Sequence, residues 1–147
     1  MSEPGNQLRP YTLKAGEGWI YRFFGVEFNI KAGEIQQGHG AAFLEYTTTK
    51  GEEPPDHTHD TENEMFYVLE GSITFRCGEK TFDLEKGGFI FLPHGLQHGY
   101  TIRGEDPVHL IIVTSPAREG ISEGWGGFVT DIESKQGELV AKPSSVD

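Results

Sequence analysis

Cysteine, basic residues and long apolar runs are all scarce in this sequence, and each scarcity excludes a class of protein. The 147 residues include a single cysteine, Cys77, so the chain cannot form an internal disulfide or a cysteine-based zinc site. Twelve Lys and Arg face 23 Asp and Glu, which gives a formal net charge of −11. Nucleic acid and anionic membrane surfaces would repel such a chain. The expected partner is a small molecule or another protein.

Apolar segments are short along the whole chain. No run approaches the ~18 apolar residues of a transmembrane helix, and residues 1–20 lack the apolar core of a signal peptide. We therefore expect a cytoplasmic protein that does not bind membranes. Cys77 lies in a β-prone run with no base close to it in sequence, so we interpret it as a strand or core residue and not as a nucleophile.

Glycine and proline are abundant, with 20 Gly and 8 Pro, which favours short strands joined by turns. Roughly seven to nine β-prone runs follow one another at turn-separated intervals, among them "WIYRFFGVEFNIKA", "EMFYVLEG" and "PVHLIIVTSP". The pattern predicts an all-β sandwich or small barrel. Residues 1–147 are expected to form one domain, with an N-terminal arm over 1–10, a short helix or loop around 118–130 and a flexible tail over 134–147.

The stretch "GEEPPDHTHDTENEMFYVLEG" carries the first chemical signal. His57 and His59 are two residues apart, so both imidazoles project from one face if the segment is extended. Pro54 and Pro55 favour that extended conformation. Glu64 follows the turn-forming "DTEN" and begins a strand, which can bring its carboxylate beside the two rings.

A second stretch, "GGFIFLPHGLQHGY", supplies another histidine. Pro93 and Gly95 predict a turn that leads into a strand beginning near His98. Three imidazoles and one carboxylate suit a divalent transition-metal ion, which could be Fe, Mn, Ni, Co, Cu or Zn. Such a ligand set leaves coordination positions open for water, substrate or dioxygen. An isolated His-x-His is more often a solvated loop, and only the complete pattern favours a metal site.

The complete spacing is that of a double motif: Gly51-x5-His57-x-His59-x4-Glu64-x6-Gly71, then Gly87-x5-Pro93-x-Gly95-x2-His98. This pattern resembles the two signatures of the cupin superfamily. It departs from them at Ile102, which stands where the second motif has Asn and which is not a ligand position. The 15 residues Ser72–Lys86 between the motifs resemble the spacing of small single-domain cupins. The flanking strands are similar to those of quercetin-dioxygenase-like members.

The resemblance implies a cupin jelly-roll β-barrel, or double-stranded β-helix, in which His57, His59, Glu64 and His98 bind one divalent transition-metal ion. The implied activity is a dioxygenase acting on an enolic or hydroxylated aromatic compound such as a flavonol, with Glu64 as both ligand and general base. A non-oxidative lyase, isomerase or cyclase that uses the ion as a Lewis acid is the alternative, and a non-catalytic binding protein is a third. A homodimer is expected because small barrels expose sheet edges.

Other residues receive no chemical role from the sequence. His94 is expected to face solvent in its turn, His109 either lines the cavity or packs as a hydrogen-bonded core residue, and His39 has no evident partner. Trp125, in "EGWGGF", is interpreted as part of a lid or as a packing residue. Most aromatic residues should fill the core, and some should shape a pocket for a flat apolar substrate: Phe43, Tyr46, Phe66, Phe75, Phe89, Phe91, Tyr100 and Phe128.

Overall fold

The computed structural model describes residues 9–33, 40–117, 128–133 and 137–144. These residues form β-strands almost exclusively, which confirms the all-β prediction. The strands are β1 (Trp19–Phe23), β2 (Val26–Ala32), β3 (Ala42–Thr48), β4 (Glu62–Glu70), β5 (Ser72–Cys77), β6 (Lys80–Glu85), β7 (Phe89–Leu92), β8 (His98–Ile102), β9 (Val108–Pro116) and β10 (Glu138–Ala141), with one short helix, α1 (Phe128–Asp131). Within the described ranges, no helix has the length and apolarity needed to cross a membrane.

The strands form two antiparallel sheets. The larger sheet has the order β10-β1-β2-β3-β9-β4-β7, and the smaller has the order β6-β5-β8. Strands β3 and β4 lie on either side of β9, although β9 is far from both in sequence. Crossings of this kind define a jelly roll, in which two facing sheets make a flattened barrel. The predicted jelly-roll fold is therefore confirmed.

The hydrophobic core lies between the two sheets. Alternate residues of β4 point inward, so Phe66 and Val68 are buried while Tyr67 between them is exposed. Phe66 meets Phe75 of the smaller sheet with ring centroids 5.0 Å apart. Period-2 alternation of this kind is what a strand with one buried face requires. The inner faces of both sheets thus supply the core and the walls of any internal site.

The C-terminal tail differs from the expectation. A flexible tail over 134–147 was predicted, and this is wrong for Glu138–Ala141, which form β10 and pair with β1. Without β10, strand β1 would present unpaired backbone groups at a sheet edge. Leu139 and Val140 have side chains that favour strands, and Arg22 donates to Glu138 across the pair at 2.7 Å. Residues 1–8 of the predicted arm lie outside the described ranges.

Candidate metal centre

Four side chains converge between the sheets: those of His57, His59, Glu64 and His98. Each offers one ligand atom, and these atoms all lie within 4.8 Å of one another. Metal bonds to imidazole nitrogen or carboxylate oxygen are about 2.0–2.2 Å long, so opposite ligands of one ion are roughly 4 Å apart. The structure therefore brings together the four residues predicted from the sequence, in an arrangement compatible with a single ion. We call this set the tetrad.

Backbone pairing holds the three rings together. The N–H of His57 donates to the carbonyl of His98 at 2.9 Å, and the N–H of His98 donates back to the carbonyl of His57 at 2.8 Å. The carbonyl of His59 accepts from the N–H of Gly95 at 2.8 Å, which ties the turn before β8 to the same segment. As a result the rings of His57 and His98 have centroids 4.6 Å apart. The site is preorganised by the main chain.

His98 provides the test of whether the tetrad fits an ion. Its side chain is buried, with 4% of its surface exposed, and neither ring nitrogen makes a hydrogen bond within the described residues. Its Nε2 lies 2.9 Å from Oε1 of Glu64, but without the geometry of a hydrogen bond. Buried polar atoms nearly always have a partner. A cation bound by Nε2 of His98 and by the Glu64 carboxylate would give that nitrogen a partner, so the donor set fits a metal ion.

A hydrogen bond fixes the tautomer of His57. Its Nδ1 lies 2.8 Å from the carbonyl oxygen of Pro55. A carbonyl only accepts, so Nδ1 must carry the proton. The lone pair of the ring is then on Nε2, as metal coordination through that atom requires.

Glu62 is a buried carboxylate that the sequence reasoning did not single out. It is 1% exposed, and its Oε1 lies 3.4 Å from Nδ1 of His59. The same oxygen accepts a hydrogen bond from the N–H of Phe128 at 2.8 Å. Carboxylates placed in this way orient metal-binding imidazoles. Glu62 is two residues from Glu64 and therefore shares the inner face of β4. This two-residue separation could have identified Glu62 from the sequence, but the double motif does not include its position.

An ion pair anchors the segment that leads into His57. Asp56 accepts from Nη2 of Arg76 at 2.6 Å and from Nε at 3.2 Å. The Arg76 hydrogen bond holds the pKa of Asp56 below its usual range. Gly99 leaves the room that this pair occupies, because a Cβ there would lie 2.0 Å from Oδ1 of Asp56. The pair attaches the His57 segment to strands β5 and β8.

The tetrad lines a cavity of about 710 Å³. The acidic residues that line the cavity are Glu52, Glu53 and Glu64. Among the described residues, no Lys or Arg lines it. An anionic substrate would find no side-chain cation there. The rest of the wall is largely aromatic and aliphatic, and includes Phe23, Phe24, Phe28, Tyr46, Phe66, Leu92, Tyr100, Ile112 and Phe128.

Two buried tyrosines meet in this cavity. The hydroxyl oxygens of Tyr46 and Tyr100 are 3.0 Å apart. Burial raises the pKa of Tyr46 well above its ordinary value and that of Tyr100 to about 12, so both are neutral phenols at physiological pH. One hydroxyl donates to the other, and the second phenol keeps its proton for a further acceptor.

The other two histidines that the structure describes, His94 and His109, are not part of the tetrad. His94 is exposed, as predicted, and its backbone N–H donates to Oδ1 of Asn63 at 2.9 Å. His109 is half-buried between inward-facing neighbours, and its Nε2 lies 2.8 Å from Oε2 of Glu45. Neither of the two positions expected for His109 is observed: it does not line the cavity, and it is not a core residue, because its side chain lies on the outer face of β9, opposite buried Val108 and Leu110. His39 lies outside the described residues.

Cys77 is a half-buried residue of β5, in agreement with the sequence interpretation. Burial raises the pKa of its thiol, which keeps it in the unreactive protonated form. Trp125, for which a lid or packing role was expected, lies outside the described residues.

Comparisons with known proteins agree with this geometry. A family profile described as "Cupin domain" matches residues 44–114, a range that contains the whole tetrad. Quercetin 2,3-dioxygenase of Bacillus subtilis is 28% identical over 93 residues, which are 63% of this chain and 28% of that enzyme. This chain therefore corresponds to little more than a quarter of that relative's length.

Solved structures with similar folds include two small proteins. KdgF from a Halomonas species aligns with a TM-score of 0.60 and 18% identity, over 77% of this chain and 98% of that one. An RmlC-like cupin from Shewanella frigidimarina aligns with a TM-score of 0.59 and 17% identity, over 78% of this chain and 96% of that one. At these identities the likeness concerns the fold alone.

Proposed function

Residues 44–114 match the cupin-domain family model, and on that premise we propose that this chain is a metal-dependent cupin dioxygenase of an enolic or hydroxylated aromatic small molecule. The observation that carries the proposal is the position of the tetrad in an aromatic cavity of about 710 Å³ without a cationic side chain among its described lining residues. Cavities of this size suit drug-sized ligands. The match to part of a quercetin 2,3-dioxygenase supports the same class of substrate.

The tetrad is the binding site that this proposal assigns to the ion. A divalent transition-metal ion held there would supply Lewis acidity and open coordination positions for a substrate oxygen. The backbone pairing of His57 with His98 fixes the ring positions, and the Pro55 carbonyl fixes the protonation of His57. Because the ligand atoms are held before an ion arrives, little ordering is required when it binds.

Glu64 has a second role in this proposal. Glu64 is 4% exposed and lines the cavity that would hold the substrate, so its carboxylate can accept the proton of the substrate hydroxyl as a general base. Within the tetrad, the basic group nearest to Oε1 of Glu64 is Nε2 of His98, at 2.9 Å. The phenolic proton left over by the Tyr46–Tyr100 pair is available to a second substrate oxygen. Apolar walls keep bulk water from the reacting atoms.

The first test combines elemental analysis with oxygen uptake. We expect the purified protein to contain one transition-metal ion per chain and to consume dioxygen when it meets a flavonol panel. His98→Ala should lower the metal content sharply while the circular dichroism spectrum is retained, because the main-chain bonds of residue 98 persist. His94→Ala removes an exposed histidine outside the tetrad and should keep the metal. Full metal occupancy in the His98 variant would refute the site.

A second candidate function is non-oxidative: a lyase, isomerase or cyclase reaction on a carbonyl compound. The Tyr46–Tyr100 pair favours it, because a buried phenol can donate a hydrogen bond or a proton to a developing oxyanion without any oxidant. Product formation under anaerobic conditions would support this candidate. A metal-loaded protein that binds flavonols with no turnover, with or without dioxygen, would support the third alternative, a binding protein.

A further inference from the structure

The turn between β1 and β2 contains a residue that the turn itself disfavours. Phe24 and Gly25 connect the two strands, flanked by the paired residues Phe23 and Val26. Their φ angles are +50° and +79°, so both central residues are in the left-handed region. Two-residue hairpins of this type prefer Asn-Gly, because Asn tolerates a positive φ. A bulky aromatic residue there is an outlier that costs conformational energy.

Burial does not offset this cost. The Phe24 side chain is 86% exposed, so folding removes little of its apolar surface from water. It stands at the rim of the cavity that contains the tetrad, and it is one of the lining residues. Backbone strain that little burial offsets, in a residue at the rim of this cavity, points to a side chain that contacts a ligand.

Phe24 begins a line of aromatic contacts that runs into the cavity. Its ring centroid is 4.6 Å from that of Phe23, and Phe23 is 6.4 Å from Phe28. Phe28 is 4.6 Å from Tyr46, whose hydroxyl meets that of Tyr100. All five side chains line the same cavity. We call these residues the aromatic wall; it extends from the solvent-exposed rim to the buried phenols.

We propose that Phe24 is the rim contact for a planar, uncharged, multi-ring aromatic substrate. The oxygen-bearing ring of this substrate lies at the tetrad and its distal ring packs on Phe24. This inference rests on the proposed function and deepens it, because it sets the length and shape of the substrate. The absence of Lys and Arg from the described cavity lining selects against anionic compounds, and the wall selects for flat rings. On this assignment, a single-ring compound bound at the tetrad does not contact Phe24.

The decisive variant is Phe24→Asn, because it removes the ring and improves the turn. Its thermal midpoint should rise by a few degrees, since Asn adopts the positive φ more readily. Quercetin and catechol serve as three-ring and one-ring probes, titrated anaerobically into the metal-loaded protein. Quercetin binding should weaken about tenfold, as expected when a ring contact is lost, while catechol binding should stay unchanged. Higher stability together with weaker binding is a result that a purely structural residue would not give.

Two controls accompany this variant. Phe24→Tyr keeps the aromatic ring and should bind quercetin with the affinity of the wild type. Phe82→Ala removes another exposed aromatic residue, 40% exposed and outside the cavity lining, and should bind quercetin like the wild type.

Several results would overturn the rim contact: unchanged quercetin affinity in Phe24→Asn, an equal loss for both probes, a lower thermal midpoint, or a wild type that prefers catechol. Oxygen uptake, measured in parallel, separates this inference from the proposed function. Quercetin binding that depends on Phe24 without oxygen uptake would remove the dioxygenase and keep the contact. Oxygen uptake together with unchanged quercetin affinity in Phe24→Asn would keep the dioxygenase and remove the contact.

Discussion

A conservative substitution of Glu62 can test its effect on metal binding without changing any residue of the tetrad. In Glu62→Gln the amide oxygen can still accept from the Phe128 N–H, so the link to α1 is retained. The negative charge facing Nδ1 of His59, 3.4 Å away, is lost. We expect metal affinity to fall about 10–100-fold, the usual cost of removing a carboxylate that orients a ligating histidine. Competition with a chelator measures this directly.

The matched control is Glu52→Gln. Glu52 also lines the cavity, but its Oε1 accepts from the N–H of Thr49 at 2.7 Å and contacts none of the tetrad. The Glu52→Gln variant should bind the metal with the affinity of the wild type. Equal affinities for the Glu62 and Glu52 variants would mean that Glu62 acts only on the helix and not on His59.

The Asp56–Arg76 pair predicts how stability depends on pH. Arg76 lowers the pKa of Asp56 in the folded protein relative to about 3.9 in the unfolded chain. The stabilisation is therefore fully present above about pH 4 and is lost as the pH falls through the folded-state pKa. Because the pair is partly exposed, Asp56→Asn should lower the free energy of unfolding by only about 0.5–1 kcal/mol at pH 7.

Denaturant titrations from pH 7 down to pH 2 would test this sign. The difference between wild type and Asp56→Asn should begin to shrink below about pH 4 and approach zero once the pH is below the lowered folded-state pKa of Asp56, where both proteins carry an uncharged side chain at this position. Asp60→Asn, at an exposed position in the same loop, should show little difference at any pH. A difference for Asp56→Asn that grows on acidification would contradict the assignment.

Individual site residues could be predicted from the sequence where residue type and spacing together indicate a metal site. The tetrad follows from the spacing of three histidines and a glutamate, because strand periodicity makes those intervals geometrically meaningful. Glu62 and Phe24 were not predicted. The role of Glu62 depends on Phe128, which is 66 positions away, and that of Phe24 depends on a backbone angle of +50°. Neither is visible in local sequence.

Among the secondary-structure elements, the β4–β5 turn shows why one motif glycine is required. Gly71 has a φ of +98°, and a Cβ there would lie 2.8 Å from the carbonyl oxygen of Pro107 and 2.8 Å from Cγ2 of Val108. Gly71→Ala should therefore destabilise the protein by about 3 kcal/mol, from backbone strain and steric overlap together.

Gly104 provides the control for Gly71, because it has a φ of +78° but open space around the position of a Cβ. Gly104→Ala should cost only about 1–2 kcal/mol, and equal losses in denaturant unfolding would exclude the steric contribution.

The strands themselves were largely predictable, whereas their partners were not. Runs of β-branched and aromatic residues bounded by Gly and Pro locate the central strands because these patterns are local. Strand β10 was missed since Leu139 and Val140 are exposed, at 47% and 38%, so no alternation of buried and exposed residues marks it. Its existence depends on the free edge of β1 more than 100 positions away, as the Arg22–Glu138 contact shows.

The whole molecule presents an apolar face on the outside of the larger sheet. One row across β3, β9, β4 and β7 consists of Phe43, Val113, Met65 and Phe91. The neighbouring row contains Ile111, Tyr67 and Phe89. The four aromatic side chains of this face are 40–56% exposed. Most of the aromatic residues expected in the core do lie there, namely Tyr46, Phe66, Phe75, Tyr100 and, packed against it, Phe128, whereas Phe43, Phe89 and Phe91 lie on this outer face. Period-2 alternation identifies the face of a strand that is buried in the core, but it does not reveal that the opposite face is apolar as well. An exposed apolar face of this kind is typical of a surface that contacts another molecule.

A second copy of this chain is the occupant that we expect for this outer face. Strand β7 is the edge of the sheet, so its backbone and the adjacent apolar rows can be covered together in a symmetric dimer. At one end the face is bordered by charged residues, where Lys31 Nζ lies 3.2 Å from Oε1 of Glu45, as in the polar rim of an interface. The homodimer expected from the sequence thus has a defined candidate surface.

Light scattering after size exclusion tests the dimer. The wild type should have twice the 16.3 kDa mass of the chain. Phe91→Lys places a charge on the edge strand β7, at the end of its apolar row, and should shift the protein to monomer, because an unpaired charge in a closed interface costs several kcal/mol. Phe82→Lys, on the smaller sheet and also at a 40% exposed aromatic, should remain dimeric. A monomeric wild type would remove this assignment while leaving the tetrad intact, since all four ligands come from one chain.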